Sequence, residues 1–282
     1  MTDQQQKNDS TVAINSAAKE ALYVVKIGGN IIDDAAKLEH FLKQFSSIKG
    51  KKILVHGGGK LATQLAKDLG IEQEMVEGRR ITDAATLKIV TMVYAGYINK
   101  NIVAQLQATG SNAIGFTGAD ANLIKAHKRL ASASKGIDYG FVGDVDGVNT
   151  AAIEPLLAQD ISIVIAPITH DGNGQLLNTN ADTIAQSIAT AMGSLYQVSL
   201  LYCFEKSGVL LDTNDDNTVI PFIDQPYFKK LKEEQLIFAG MIPKLDNAFA
   251  ALDKGVGKVI IGKAESILDL VQAKAGTTIQ NS

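Results

Sequence analysis

The sequence predicts an α/β protein with a mostly parallel central sheet. Short runs rich in Val, Ile and Leu alternate along the chain with stretches that repeat apolar residues at helical spacing. This alternation is typical of βαβ units, which place successive strands in parallel. The strand runs are apolar at nearly every position, as expected when helices cover both faces of a sheet.

The strands of this sheet are predicted at 22–27, 53–56, 112–116, 161–166, 198–203 and 258–261. Helices are predicted at 60–69, 84–106 and 243–254. In the first of these helices Leu61, Leu65 and Leu69 form an apolar stripe at i, i+4 and i+8. Gly70 follows the stripe and is predicted to close that helix.

The 84–106 helix is apolar over more of its surface than one buried face requires. Its main stripe consists of Leu87, Val90, Tyr94, Ile98 and Ile102. Further apolar side chains widen that stripe on both sides. Such a helix is either deeply buried or packed on another subunit. We predict that it forms the interface of a homodimer.

The middle of the chain, roughly 117–150, is rich in Gly, Asp, Ser and Lys and predicts hairpins that lie over a site. The run DGNGQ at 171–175 predicts a hairpin tip, and Asn180 is predicted to cap the next helix. A boundary between two lobes falls near 175–195, but no linker composition marks it. Two lobes that share one sheet therefore fit better than two tethered domains.

Length and composition exclude several classes of protein. A chain of 282 residues, 46% hydrophobic and 20% charged, is long enough to bury a large core. Its net charge of −3 does not favour nucleic acid or an anionic membrane as a partner. The single cysteine, Cys203, excludes an intramolecular disulfide framework and fits a reducing cytosol.

The chain also carries no predicted membrane or secretion segment. No apolar run approaches the ~20 residues that cross a bilayer. The first residues are polar and lack the apolar centre of a secretion signal. We therefore predict a cytoplasmic protein in which residues 1–21 form a flexible tail.

Two glycine-rich turns follow predicted strands near the N-terminus. The first ends the run YVVKIGG at 23–29, and the second ends ILVHGGG at 53–59. Glycines at the end of a strand let backbone N–H groups approach an anion, and a helix that starts just afterwards adds its positive dipole end. Two such turns indicate two anionic groups that are brought together, as phosphoryl transfer requires.

The familiar nucleotide motifs are absent. Lys60 is followed by Leu61, so the second turn is not a P-loop, and neither turn contains the dinucleotide pattern G-x-G-x-x-G. The four histidines are too dispersed for an evident metal site, and none is predicted. Among them, His56 stands beside the second turn, where it most simply packs at a strand end.

Candidate residues remain near these turns. Lys26 interrupts an apolar strand, and a buried lysine is costly unless it meets an anion, although a lysine that extends its ammonium to solvent or forms an ion pair explains it equally well. Lys244 stands at a helix start, which is unfavourable for a cation unless an anion is present, although a solvated lysine explains it equally well. Arg80 offers a fork that matches a carboxylate. Asp182 and Asn178 are also candidates, although a helix-dipole contact and a turn explain them equally well.

Five segments together resemble the ordered motif set of the amino acid kinase family, in its branch that acts on acylated glutamate. They are VKIGG at 25–29, HGGG at 56–59, GRRIT at 78–82, LNTNAD at 177–182 and GMIPK at 240–244. The resemblance extends from about Tyr23 to the run GTTI at 276–279. The first segment is shared across the family, whereas Arg80 in its context is more specific to this branch.

The resemblance implies a three-layer αβα sandwich with two lobes. Residues 22–180 would form the lobe that binds the amino-acid substrate, and residues 181–282 the lobe that binds ATP. Lys26 and Lys244 would stabilise the charge on the transferred phosphoryl group. Asp182 would orient those two lysines.

The resemblance also implies the binding residues. Arg80 would grip the α-carboxylate of the substrate, and Asn178 would bind the region of its α-substituent. The remaining roles fall to backbone N–H groups: the substrate side would be cradled by Gly58 and Gly59, and the ATP phosphates by Gly28 and Gly29.

The implied activity is ATP-dependent phosphorylation of the γ-carboxylate of N-acetyl-L-glutamate, with Mg²⁺, in arginine biosynthesis. N-succinyl-L-glutamate is an alternative substrate, and another activity of the family or a silent amino-acid sensor are further alternatives. In the family that the chain resembles, arginine-inhibited members carry a long N-terminal helix that builds a hexamer. The tail here is short and weakly amphipathic, so the resemblance implies a homodimer that arginine does not inhibit. The run YCFEKSG at 202–208 departs from the family pattern, so nucleotide contacts there are not predicted.

Overall fold

The computed structural model describes residues 19–76, 79–131 and 136–281. Residues 1–18 of the predicted tail and Gly78 of the arginine motif lie outside these ranges. The strands are β1 (Ala21–Ile27), β2 (Lys51–His56), β3 (Met75–Val76), β4 (Arg79–Arg80), β5 (Ala113–Phe116), β6 (Ile124–Lys128), β7 (Val142–Val148), β8 (Ser162–Ile165), β9 (Ile168–His170), β10 (Leu176–Thr179), β11 (Gln197–Phe204), β12 (Phe222–Ile223), β13 (Lys258–Lys263) and β14 (Thr277–Ile279).

The α-helices alternate with these strands. They are α1 (Gly29–Ile32), α2 (Ala35–Ser47), α3 (Gly59–Asp68), α4 (Ala84–Thr91), α5 (Asn99–Ala108), α6 (Thr150–Ala158), α7 (Ala181–Met192), α8 (Gln225–Glu233), α9 (Ile242–Asp253) and α10 (Ile267–Val271). Within the described ranges, no helix combines the length and the apolar character needed to cross a bilayer.

Eight strands form the central sheet, in the order β12-β14-β13-β11-β1-β2-β8-β5. Every neighbouring pair is parallel except β13 and β14. The predicted mostly parallel sheet is confirmed, and each predicted strand lies within two residues of an observed one. The short strands β12 and β14 at one edge were not predicted.

Two apolar cores lie on opposite faces of this sheet. On β1, Leu22 and Val24 pack into one core, and Val25 and Ile27 pack into the other. Helices α6, α7, α8 and α9 cover the first face, and α2, α4, α5 and α10 cover the second. The predicted three-layer αβα sandwich is therefore confirmed.

The predicted 84–106 helix is a single long rod with a wide turn in its middle. Helix α4 continues through a π-helical segment, Met92–Ile98, into α5. The predicted stripe from Leu87 to Ile102 is buried in this chain's own core. Exposed apolar side chains remain on the rod, where Met92 is 46% and Tyr97 66% exposed.

The stripe predicted for α3 is wrong. The buried residues of this helix are Ala62 and Ala66, whereas Leu69 is 57% exposed. Alanine lets the helix backbone approach its neighbours closely, so the small residues face the core and the leucines lie beside it. Gly70 does follow the helix end, with a φ of +69°.

A second, smaller sheet closes on itself in the order β10-β7-β6-β9. The predicted hairpin over 117–150 corresponds to the antiparallel pair β6 and β7. The predicted tip at 171–175 joins the antiparallel strands β9 and β10. Asn180 then caps α7, accepting hydrogen bonds from the backbone N–H groups of Asp182 and Thr183, as predicted.

Candidate active site

The two glycine turns lie side by side at the carboxyl edge of the central sheet. Strands β1 and β2 are parallel and in register, with Ile27 opposite His56. The Gly57 N–H donates to the carbonyl of Ile27 over 3.1 Å. Helix α1 begins at Gly29 and α3 begins at Gly59, so both turns lead directly into helices. The carboxyl edge of an open parallel sheet is where α/β proteins bind ligands.

A cluster of two lysines and one aspartate lies at this edge. Lys26 Nζ is 2.8 Å from Asp182 Oδ1, and the Lys26 side chain is only 11% exposed. Lys244 Nζ lies 3.9 Å from the centre of the Phe204 ring, and Lys26 Nζ lies 5.4 Å from the same ring. Three residues that the sequence singled out separately are thus gathered around one aromatic ring.

Lys244 remains accessible to solvent, as a group that receives a ligand must. Partial burial of its ammonium lowers the pKa of Lys244, Asp182 opposes that change, and Lys26 adds to it. Two ammonium groups held near each other attract a multiply charged anion strongly. Asp182 forms an ion pair with Lys26, and its negative charge acts on Lys244 as well.

A cavity of about 670 Å³ opens beside this cluster. Gly28, Gly29 and Lys244 line it, together with one face of α3. The side chains of that face are Lys60, Thr63, Gln64 and Lys67. The run at 202–208, where contacts were not predicted, contributes Phe204, Glu205 and Lys206 to the wall.

A second pocket of about 250 Å³ adjoins the first. The predicted substrate residues Gly58, Gly59, Arg80 and Asn178 all line it. Gly59 and Arg80 line the larger cavity as well, so the two spaces meet at these residues. Seven of the nine predicted site residues thus line these two adjoining spaces, and the other two, Lys26 and Asp182, form the ion pair beside the larger one. Their individual roles stay predictions.

Arg80 is buried and firmly held. Its Nη2 donates to the Gly59 carbonyl over 3.0 Å and to Thr63 Oγ1 over 2.9 Å. Its Nη1 donates to the side-chain oxygen of Gln73. These contacts connect the guanidinium to the second glycine turn, so the position of Arg80 and the shape of that turn depend on each other.

Gly58 cannot carry a side chain in this fold. Its φ of +146° is a backbone conformation that favours glycine. A Cβ at this position would lie 2.2 Å from Ile98 Cδ1 of the long helix rod. The glycine therefore serves close packing in addition to any contact with an anion.

His56 packs at the strand end, as its simplest interpretation predicted. It is fully buried, and its Nδ1 donates to the Gly57 carbonyl over 2.8 Å. Its Nε2 accepts from the Asn99 side-chain amide over 3.3 Å, and that amide also donates to the Val164 carbonyl. Burial lowers the pKa of His56 to about 4, so the ring is neutral near pH 7.

We expect the free energy of unfolding to fall as the pH drops from 6.5 toward 4. The unfolded histidine binds a proton near pH 6.5, whereas the folded one resists it until about 4. At pH 5 this difference costs about 2 kcal/mol of stability. Urea unfolding at pH 7 and pH 5 measures it, and His56→Gln should reduce the loss by that amount.

The exposed His40, which contacts Gln44, provides the control. His40→Gln should leave the pH dependence of unfolding as it is in the unchanged chain. Equal losses of stability in the unchanged chain and in His56→Gln would show that His56 titrates normally in the folded state.

Sequence reasoning missed several side chains of this site. Gln73 and Thr63 hold Arg80, Phe204 lies beneath both lysines, and Arg129 lines the smaller pocket. Phe204 was detectable only as part of a departure from the family pattern. Gln73, Thr63 and Arg129 had no local signal, because their importance arises from contacts between distant parts of the chain.

The chemistry of the site depends on cations and backbone N–H groups. Within the described ranges, no group of three His, Cys, Asp or Glu side chains is arranged to hold a metal ion. Cys203 is buried, and burial raises the pKa of its thiol to about 12, so it offers no thiolate. Such a site binds and positions anions.

The fold and the site define an α/β protein with two adjoining pockets and a pair of lysines at the carboxyl edge of its parallel sheet. Residues 21–263 match the amino acid kinase family. The chain belongs to that family.

The curated relatives share this length and much of the sequence. A protein of Cytophaga hutchinsonii named acetylglutamate kinase is 56% identical, over 89% of this chain and 95% of its own length. A protein of Phocaeicola vulgatus with the same name is also 56% identical, over 88% of this chain and 96% of its own length. A third protein of this name, from Methanopyrus kandleri, is 35% identical over 87% of this chain and 96% of its own length.

Solved structures share the fold at low sequence identity. N-acetylglutamate synthase from Neisseria gonorrhoeae, complexed with coenzyme A and N-acetyl-glutamate, matches with a TM-score of 0.78 and 20% identity. The match covers 94% of this chain and 60% of that one. Carbamate kinase from Giardia matches with a TM-score of 0.66 and 13% identity, over 95% and 100%.

Proposed function

We propose that this chain is an acetylglutamate kinase, which transfers the γ-phosphoryl group of ATP to the γ-carboxylate of N-acetyl-L-glutamate. The product is an acyl phosphate, N-acetylglutamyl 5-phosphate, in arginine biosynthesis. The observation that carries the proposal is the cluster of Lys26, Asp182 and Lys244 at the sheet edge, of which Lys244 lines the larger cavity. The names of the relatives at 50–56% identity support it.

This reaction needs no general base. A γ-carboxylate with a pKa near 4.3 is already ionised at neutral pH and can attack phosphorus directly. The obstacle is the repulsion between two anions, which positioning and positive charge overcome. Lys26 and Lys244 supply that charge, and the ion pair with Asp182 keeps the Lys26 ammonium in place.

We assign the larger cavity to ATP and the smaller pocket to the acylated glutamate. The phosphates would meet the N–H groups of Gly28 and Gly29, and the reacting carboxylate those of Gly58 and Gly59. The lobe at 22–180 would then hold the amino-acid substrate and the lobe at 181–282 the nucleotide. The volumes of about 670 Å³ and about 250 Å³ fit a large and a small ligand respectively.

Mg²⁺ would enter bound to the phosphates of ATP, whose negative charge it partly neutralises. The donor set fits this arrangement, because the cavity offers N–H groups and lysines rather than a cage of carboxylates in the described part of the chain. Mg²⁺ commonly binds through substrate phosphates and water, with few protein ligands.

Arg80→Lys is expected to raise the KM for N-acetyl-L-glutamate by about 10- to 100-fold and to change the KM for ATP little. A lysine loses the planar fork that binds a carboxylate, and it cannot reach Gln73, Gly59 and Thr63 together. Steady-state kinetics with each substrate varied in turn measures both constants. A rise in the KM for ATP, with the KM for N-acetyl-L-glutamate unchanged, would reverse the assignment of the two pockets.

An assay of ADP release and hydroxamate formation tests the function itself. N-acetyl-L-glutamate, N-succinyl-L-glutamate, free glutamate and carbamate are compared as acceptors, and the first is expected to react best. No ATP-dependent acyl phosphate with any acylated glutamate would rule the proposal out.

We further propose a cytoplasmic homodimer that arginine does not inhibit. Exposed Met92 and Tyr97 on the long rod support its role as the dimer interface. Light scattering gives the molar mass in solution, and a monomeric mass would contradict the dimer.

A further inference from the structure

We propose that Arg129 binds the acyl group on the nitrogen of the substrate. This inference rests on the proposed function. It gives a charged partner to the acyl group, for which the sequence predicted only the uncharged Asn178. Arg129 lines the smaller pocket together with Arg80 and Asn178, and its side chain is 17% exposed. A guanidinium that faces a ligand pocket is a strong donor to carbonyl and carboxylate oxygens.

The strand register places Arg129 at the end of the pocket where Asn178 lies. The Arg129 N–H donates to the Val142 carbonyl over 2.7 Å, and Val142 is paired on its other side with Asn178. Arg129 and Asn178 therefore flank the same residue of β7. Asn178 also donates to Thr82 Oγ1, close to Arg80 in the chain.

A half-buried arginine at a pocket is more stable beside a counter-charge, and Asp144 supplies it. Arg129 Nε donates to both carboxylate oxygens of Asp144, at 3.1 and 3.0 Å, and Nη2 donates to one of them. The guanidinium also lies 5.9 Å from the centre of the buried Tyr139 ring. The pair uses the Nε–Nη2 edge, so Nη1 lies on the opposite side of the guanidinium, outside this pair.

The remaining parts of the substrate have other partners in this arrangement. The reacting γ-carboxylate belongs at Gly58 and Gly59, and the α-carboxylate at Arg80. What is left is an amide-linked acyl group, which carries apolar carbon and at least one oxygen. The wall near Arg129 includes Val142 and Pro167, so it offers apolar surface beside a strong donor. That combination suits an acyl group.

The test compares Arg129→Gln with the double variant Arg129→Gln/Asp144→Asn, using N-acetyl- and N-succinyl-L-glutamate. If Arg129 binds the acyl group, both variants raise the KM for an acylated glutamate by about 10- to 100-fold, with the KM for ATP unchanged. A loss with both substrates identifies the amide carbonyl as the bound oxygen. A loss confined to N-succinyl-L-glutamate identifies its distal carboxylate.

The double variant separates binding from a purely structural role. If Arg129 served only to neutralise Asp144, removing both charges would restore the KM, and that result would overturn the proposal. An unchanged KM in Arg129→Gln would also overturn it. Lys128→Gln is the matched control, because Lys128 is the preceding residue, is 50% exposed and pairs with Asp138; its kinetics should match the unchanged enzyme.

Thermal unfolding of each variant shows whether the hairpin is still folded. If the unchanged enzyme phosphorylates no acylated glutamate, the proposed function fails and this inference fails with it. If the unchanged enzyme is active and Arg129→Gln has the same KM for each acylated glutamate as the unchanged enzyme, only the inference about Arg129 fails.

Discussion

Lys26→Ala is expected to lower kcat by at least ~10²-fold with N-acetyl-L-glutamate and ATP. The change removes one of the two positive charges that offset the repulsion between the carboxylate and the γ-phosphoryl group. It also removes the partner that lies 2.8 Å from Asp182, so the orientation of the cluster is lost. ADP release at saturating substrates measures kcat, and a single-turnover experiment separates the chemical step from product release.

Lys52 provides a matched control on the neighbouring strand. Its Nζ donates to the carbonyls of Ser46 and Ile48 and lies 5.7 Å from the Phe45 ring, and it lines neither pocket of the site. Lys52→Ala should reduce stability while kcat stays within about twofold, because no charge near the reacting groups changes. A kcat for Lys26→Ala within tenfold of the unchanged enzyme would contradict the role of Lys26.

Lys244→Ala is expected to lower kcat by a similar factor of at least ~10² for a different structural reason. The ion pair between Lys26 and Asp182 survives in this variant, so the site keeps its shape and loses one charge. Because Lys244 is accessible to solvent, the free energy of unfolding should change little. Kinetics and urea unfolding on the same preparation measure the two quantities.

Lys254, at the end of the same helix, is the control for this second change. It is exposed and about three turns away from Lys244 along α9. Lys254→Ala should leave kcat unchanged. If Lys244→Ala keeps a normal kcat and raises only the KM for the acylated glutamate, Lys244 belongs with the amino-acid substrate instead.

The central sheet was largely predictable because its strands are continuous apolar runs. Strand β1 carries Leu22, Val24, Val25 and Ile27 on both faces, a pattern that few other structures produce. Strand β12 has only two residues, so it contains too little sequence for any period to show. The leucine stripe of α3 led to a wrong prediction because periodicity in the sequence identifies an apolar face of a helix. Which face is buried depends on the elements that pack against the helix, and here they pack on its alanines.

The charged part of the site was predictable where a charge conflicts with its surroundings. Lys26 in an apolar strand and Lys244 at a helix start are both unfavourable without an anion. The supporting residues had no such conflict. Thr63 reaches Arg80 across 17 residues, and Asn178 reaches Thr82 across 96, so these contacts exist only in the folded chain.

The wide turn at Met92–Ile98 is a place where the long rod tolerates a change of length. There the Asn99 N–H bonds to the carbonyl of Tyr94, five residues back, so the turn holds one residue more than an α-helix would. Deleting one residue there would return the turn to α-helical geometry, whereas deleting one within α4 would rotate everything beyond it by about 100° and turn Asn99 away from His56. Substitutions can accumulate on the outer side of this rod, but insertions and deletions in its α-helical parts would dismantle the support beneath the second glycine turn.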